Sequence, residues 1–114
     1  MNKQIRISYK DDRGKEHVYT LRYTRKSVMQ MERSGFRIDE VMAKPMTSLP
    51  ALFAGAFLAD HPTIPRSTID SIYTSLPNKE GLIDALSTLY NEPINALLDE
   101  PTEGHEGNAS WEMA

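Results

Sequence analysis

Residues 51–59 have the sequence ALFAGAFLA, which would be apolar on every side of a helix. A helix without a polar face belongs in the interior of a protein, so this stretch predicts a central buried helix. Thr47 or Ser48 is expected to open the helix, with Pro50 in its first turn, where proline is tolerated. The run Asp60-His61-Pro62 is expected to end it.

The apolar run around this helix is too short to span a membrane. It extends from residue 49 to residue 59, about half of what a helix needs to cross a bilayer. The N-terminal residues contain no apolar core of the kind that a secretory signal has. The chain has no cysteine, which excludes disulfides and thiolate metal sites. We therefore expect a cytoplasmic protein that does not bind a membrane.

Upstream of the central helix, apolar and polar residues alternate in two short runs, which predicts two β-strands. The link between them, residues 11–15, contains Gly14, which tolerates positive φ, so the pair should form a β-hairpin. A lone hairpin is marginally stable in water, so its apolar face must pack on the rest of the chain or on a partner. That face carries Ile5, Ile7, Tyr9, Tyr19, Leu21 and Tyr23.

Helix start and stop signals lie between the hairpin and the central helix. Thr24 is placed to cap a helix over residues 25–34, and Gly35 is placed to end it. A further helical turn is expected over residues 39–44, before Pro45.

Similar signals follow the central helix. Residues 67–70, with the sequence STID, resemble a capping box, which predicts a helix that Pro77 closes. Asn78 is expected to cap the next helix. Pro93 is expected to begin a separate final turn, because proline is disfavoured inside a helix.

These elements predict an α+β fold that is mainly α. A single domain is expected over residues 1–99, with the hairpin in residues 4–23 packed on four or five short helices in residues 24–98. Residues 100–114 are acidic and contain proline and glycine, which is typical of a flexible tail.

Charge is divided unevenly along the chain. Residues 1–37 hold ten basic and four acidic residues, a net charge of +6, whereas the remainder holds three basic and twelve acidic residues, a net charge of −9. This uneven charge is compatible with two solvated faces, with attraction between the halves of one fold, or with head-to-tail association. The basic third with its tyrosines also has the composition of a nucleic-acid platform, but an overall pI near 5.6 disfavours that class.

No pattern in the sequence indicates catalysis, a metal site or a cofactor. His17, His61 and His105 lack a metal-ligand partner three or four residues away. Asp60 beside His61 is better explained by a helix end than by a catalytic dyad. We therefore expect a protein that is not an enzyme and that acts by binding other proteins.

Candidate partner-binding residues are large apolar side chains. Phe53 and Phe57 lie in the apolar helix, and Trp111 and Met113 lie in the acidic tail. Methionine is frequent, which suits either core filling or an adaptable binding surface. An aromatic residue on an acidic tail is either a docking anchor or folds back onto its own domain.

A series of short motifs spans most of the chain. They are YTLRYTRKSV at 19–28, MERSGF at 31–36, KPMT at 44–47, LFAGAFL at 52–58, NKEGLI at 78–83, LYNEPI at 89–94 and GNASWE at 107–112. In this order they resemble the small tail assembly chaperones of siphophages and related prophages of Gram-positive bacteria. No single motif is catalytic, so the resemblance depends on their common order.

The resemblance implies a largely helical protein that binds the long, hydrophobic, helical tape measure protein during tail assembly. It also implies that the protein helps recruit the tail tube protein, leaves as the tube grows, is absent from the mature virion and can associate with itself. A chaperone of this kind needs an apolar groove or a removable surface helix, because an unassembled client exposes apolar helix faces. The helix around Phe53 and Phe57, or the hairpin face, is a candidate for that surface. The tail with Trp111 is expected to dock the tube protein or to shield the groove.

Other classes remain as alternatives at this point. They are another small phage-encoded binding protein, such as a head–tail connector or a host-factor inhibitor, and a nucleic-acid-binding regulator that uses the basic N-terminal third.

Overall fold

A computed structural model describes residues 4–98 and 111–113. It contains an N-terminal antiparallel hairpin followed by four α-helices, which confirms the predicted α+β, mainly α fold. Most of the predicted tail, residues 100–114, lies outside the described residues. The elements are β1 Ile5–Lys10, β2 Glu16–Leu21, α1 Arg25–Arg33, a 3₁₀ turn Ile38–Glu40, α2 Pro45–Gly55, α3 Arg66–Ser75 and α4 Lys79–Leu98.

The hairpin has the predicted apolar face and turn. Ile7 pairs with Tyr19, so the alternating apolar residues of both strands share one face. Gly14 has a φ of 80°, and the Asp11 carboxylate accepts hydrogen bonds from the backbone N–H groups of Arg13 and Lys15 at 3.0 and 2.9 Å. The hairpin face packs on the chain's own helices, and its Ile7 and Leu21 belong to the buried core.

The outer edge of β2 is attached to the segment that follows α2. The Arg22 N–H donates to the carbonyl of Ala56 at 3.1 Å, and the Thr20 N–H donates to Nε2 of His61 at 3.0 Å. The Arg22 guanidinium also binds both carboxylate oxygens of Asp60, at 2.8 and 3.0 Å. These bonds satisfy backbone donors that an edge strand would otherwise expose.

Helix α1 begins and ends as predicted. The Thr24 hydroxyl accepts from the Ser27 N–H at 3.1 Å, and the Ser27 hydroxyl accepts from the Thr24 N–H at 2.8 Å. This reciprocal pair satisfies two backbone donors at the helix start. Gly35 follows the helix with a φ of 96°, a conformation that favours glycine.

Helix α2 occupies the centre, but it begins earlier than predicted. Pro45 is its first residue, ahead of the expected Thr47 or Ser48, because proline fits the first helical position after Lys44. The helix contacts α1, α3 and α4. It is not buried on all sides, since Ala51 and Ala54 remain partly accessible.

Two other predictions about helix boundaries were wrong. Helix α3 begins at Arg66 without a side-chain cap, and Asp70 accepts from Arg66 Nε at 3.3 Å instead of completing a capping box. Helix α4 continues through Pro93 to Leu98. Ile94 packs on the core beyond Pro93, and this contact favours continuing the helix despite one missing hydrogen bond. Asn78 does cap α4, since its Oδ1 accepts from the Gly81 N–H at 3.3 Å.

The core joins the hairpin to all four helices. The Tyr23 ring packs edge-on against Tyr90 of α4 at a centroid distance of 5.3 Å, and its hydroxyl donates to the Leu52 carbonyl of α2. Phe53 meets Tyr73 of α3 at 5.1 Å. In the part of the chain that the structure describes, no helix has both the length and the apolar character needed to cross a membrane.

Candidate protein-binding groove

An open groove of about 690 Å³ lies between α1, α2 and α3. One wall is α1 with the turn that follows it, the floor is α2, and the opposite wall is the start of α3 with the loop before it. Charged residues stand at the rim. The groove is lined by Gln30, Met31, Phe36, Arg37, Glu40, Lys44, Ser48, Ala51, Ala54, Gly55, Leu58, Ile64, Arg66 and Ile69, among others.

Two alanines of α2, Ala51 and Ala54, are partly accessible and form the open part of the floor. Ser48 and Gly55 lie on the same side of the helix as Ala51, three and four positions away, but they are buried. Gly55 has a specific packing role, because a Cβ there would lie 2.4 Å from Sδ and Cε of Met31. Its absence lets the Met31 side chain lie against the α2 backbone and close the inner end of the groove.

The charges at the rim are paired locally. Arg37 binds Asp39 at 3.1 Å, Lys44 lies 3.4 Å from Glu40, and Arg66 lies 3.3 Å from Asp70. The hydrogen bond to Asp39 raises the pKa of the Arg37 guanidinium above its ordinary value. An apolar floor between solvated ion pairs suits an amphipathic helix, whose polar face would remain in water.

The outer face of α1 is basic and adjoins the groove. Arg25, Lys26, Met29 and Arg33 border a shallow hollow of about 510 Å³, and Gln30 lines both the hollow and the groove. Among residues 4–98 and 111–113, Arg25, Lys26 and Arg33 have no ion-pair partner. Met29 is 41% exposed between them.

Phe53 and Phe57 are core residues, which corrects their assignment to an accessible binding surface. They are 0% and 1% exposed. Phe57 packs against Tyr19 of β2 at 5.7 Å, and Phe53 against Tyr73 of α3. Phe53 therefore lies on the side of α2 away from Ala51, and Phe57 lies just beyond the end of α2. Sequence analysis missed the accessible side of α2, because the packing of α1 and α3 decides which side stays open.

Trp111 and Met113 are exposed, at 85% and 87%. Met42 and Met46 are also exposed, at 83% and 90%, whereas Met31 is buried in the core. Core filling therefore does not explain most of these methionines. Met42 just before α2 and Met46 in its first turn add flexible apolar surface there.

The tyrosines of the basic N-terminal third do not form an open stacking surface. Tyr23 is 6% exposed, and Tyr9 and Tyr19 pack against the core. Bases stack on accessible aromatic faces, so these rings are poorly placed to bind single-stranded nucleic acid.

The titratable residues considered for catalysis, His17, His61 and Asp60, have structural partners. His17 Nε2 lies 2.9 Å from Asp11, and His61 accepts the Thr20 N–H. Asp60 binds Arg22, and this hydrogen bond lowers the pKa of the carboxyl group. Within residues 4–98 and 111–113, no three His, Cys, Asp or Glu side chains are grouped so that they could hold a metal ion.

Comparison with known proteins gives a family but no activity. No curated protein and no solved structure matches the chain. A family model described as a domain of unknown function, DUF5055, matches residues 1–114. The chain therefore belongs to the DUF5055 family.

Proposed function

We propose that this protein is a phage tail assembly chaperone that holds an apolar helical segment of the tape measure protein in the groove between α1, α2 and α3. The observation that carries the proposal is the groove itself, whose floor is formed by small residues of a central helix. The order of short motifs along the chain supports the identity of the client.

The dimensions of the groove suit a helix. Helix α2 has eleven residues, which corresponds to about 16 Å, or three turns, of a helix lying beside it. A client helix would present anchors at i, i+3 or i+4 and i+7 to the floor around Ala51 and Ala54. Small floor residues permit a close approach, while Leu58, Ile64 and Ile69 supply apolar walls.

Methionines near the groove suit a client without a fixed sequence. Met42 and Met46 project into solvent on the segment beside the rim residue Lys44. Their unbranched side chains can adapt to different apolar faces, which a chaperone of a long helical protein requires.

The remaining parts of the proposal come from the family resemblance. The chaperone acts in the host cytoplasm, without catalysis or a cofactor, and leaves before the virion matures. Its C-terminal segment, with Trp111 and Met113 exposed, is available to contact the tail tube protein.

The gene neighbourhood should contain a very long tape measure gene, and co-expression with its product tests the function. The wild-type protein should keep the client in the soluble fraction and copurify with it. Ala51→Phe should strongly reduce both effects, because the new ring occupies part of the groove. Ala85→Phe is the matched control, since residue 85 is an exposed position of α4 outside the groove. Failure of the wild-type protein would refute the function, whereas equal behaviour of the two variants would refute the groove as the site.

A further inference from the structure

The C-terminal segment, residues 99–114, is acidic, whereas the outer face of α1 is basic. Both also carry apolar side chains. Residues 99–114 contain five carboxylates and no lysine or arginine. The outer face of α1 presents Arg25, Lys26 and Arg33, which have no ion-pair partner among the described residues. An acidic peptide would be attracted to this face at low ionic strength.

The groove beside the outer face of α1 offers a binding site for the apolar side chains of the segment. Trp111 and Met113 are 85% and 87% exposed. The α1 hollow adjoins the groove at Gln30, which lines both. A peptide whose carboxylates lie on α1 therefore has an apolar receptor within reach for a tryptophan.

We propose that residues 99–114 of one copy dock on a second copy, with the carboxylates along α1 and Trp111 in the groove. The second copy is indicated because Trp111 and Met113 are not covered by their own chain. Such a contact joins two different surfaces of the protein, so it is heterologous and can build chains or rings of copies. It also uses the uneven charge of the two halves of the sequence.

Docking of this kind should be weak and reversible. One tryptophan contributes about 150–250 Å² of buried surface, and a short segment stays below the roughly 1,200 Å² that is usual for stable interfaces. The docked segment would have to leave before a helix could enter the same groove. It requires the groove but not the tape measure protein, so it can be tested on the purified chain alone.

Trp111 is the only tryptophan, which gives a direct probe of the docking surface. A synthetic peptide of residues 99–114 is titrated into the full-length Trp111→Ala variant, whose own segment is then silent. The tryptophan emission of the peptide should shift to the blue and saturate. Adding Arg33→Glu or Ala51→Phe to the Trp111→Ala protein should weaken binding at least about fivefold. Lys10→Glu, an equal charge change on the exposed hairpin, and Ala85→Phe should leave it unchanged. No saturable shift, or equal losses in the controls, would overturn the proposal.

Dilution of the wild-type protein distinguishes a second copy from the same chain. Sedimentation should show a mass that rises with protein concentration, and Trp111 emission should shift to the blue over the same range. Higher salt should reduce both effects. A blue-shifted emission at constant monomer mass would mean docking within one chain and would overturn the proposal. An unshifted emission at every concentration would also overturn it.

Discussion

At the scale of single residues, His61 attaches the hairpin to the helices. Its Nε2 accepts the Thr20 N–H from the outer edge of β2, and its ring packs edge-on against Tyr19 at 5.2 Å. A ring nitrogen accepts a hydrogen bond only when it carries no proton. His61 therefore has a structural role. Its neighbour Asp60 helps to attach the hairpin at the same place, because the Asp60 carboxylate binds Arg22.

We expect His61→Ala to weaken the attachment of the hairpin to the helices. Loss of the acceptor leaves the Thr20 N–H without its partner, at a cost of about 1 kcal/mol in the free energy of unfolding. Hydrogen exchange at the Thr20 amide should accelerate about fivefold or more. His17→Ala is the control, because His17 contacts Asp11 at the hairpin turn and does not reach the helices through a hydrogen bond. Equal protection of Thr20 in both variants would contradict this role.

At the scale of elements, helix starts with similar sequences differ in how they are capped. Thr24 and Ser27 exchange two hydrogen bonds at the start of α1, whereas Ser67 near the start of α3 makes no capping bond. In α3 the Thr68 and Ile69 N–H groups donate to the carbonyl of Pro65, which is the N-cap residue. Proline has no side-chain acceptor, and Ser67 lies inside the first turn, so a cap of the kind that Thr24 makes does not form.

Alanine substitutions should distinguish the capped start of α1 from the uncapped start of α3. Thr24→Ala should lower the free energy of unfolding by about 1 kcal/mol, because a capping acceptor is lost. Ser67→Ala should change it by less than about 0.5 kcal/mol, as is usual for surface positions. Urea denaturation measures both. A larger loss in Ser67→Ala than in Thr24→Ala would show that the capping box at residues 67–70 forms after all.

At the scale of the whole molecule, the sequence predicts the local features well. The hairpin face, the Thr24 cap and the Gly35 stop were correct because alternation, short polar side chains and positive φ act over a few residues. Pro93 was misjudged because the packing of Ile94 on distant residues outweighs a local preference. The groove was missed for the same reason, since only the packing of α1 and α3 decides which side of α2 stays open.

The two buried tyrosines predict how stability depends on pH. Burial raises the pKa of Tyr23 well above its ordinary value of 10.0, and burial, with the Glu32 charge, raises that of Tyr90. The folded protein therefore keeps protons that the unfolded chain releases above about pH 10. The stability that these groups contribute is complete below that pH and is lost as pH rises through the folded pKa.

Tyr23→Phe should make the protein less sensitive to alkali. The slope of the unfolding free energy between about pH 9 and pH 11 should become shallower, because one group no longer releases a proton on unfolding. The variant will also lose the hydrogen bond to the Leu52 carbonyl, which lowers stability at neutral pH. An unchanged slope measured by denaturant titration would contradict the assignment to Tyr23.

We claim that the floor of the groove touches the client helix, and site-specific crosslinking detects that contact. A photoreactive phenylalanine analogue is placed at position 51 or at the control position 85, and each protein is co-expressed with the tape measure protein and irradiated. Bulk at position 51 is expected to reduce complex formation, so the crosslinked fraction is normalised to the copurified client. We predict crosslinks to apolar helical segments of the client from position 51 and none from position 85. Equal crosslinking at both positions, or crosslinks from position 85 alone, would contradict the claim.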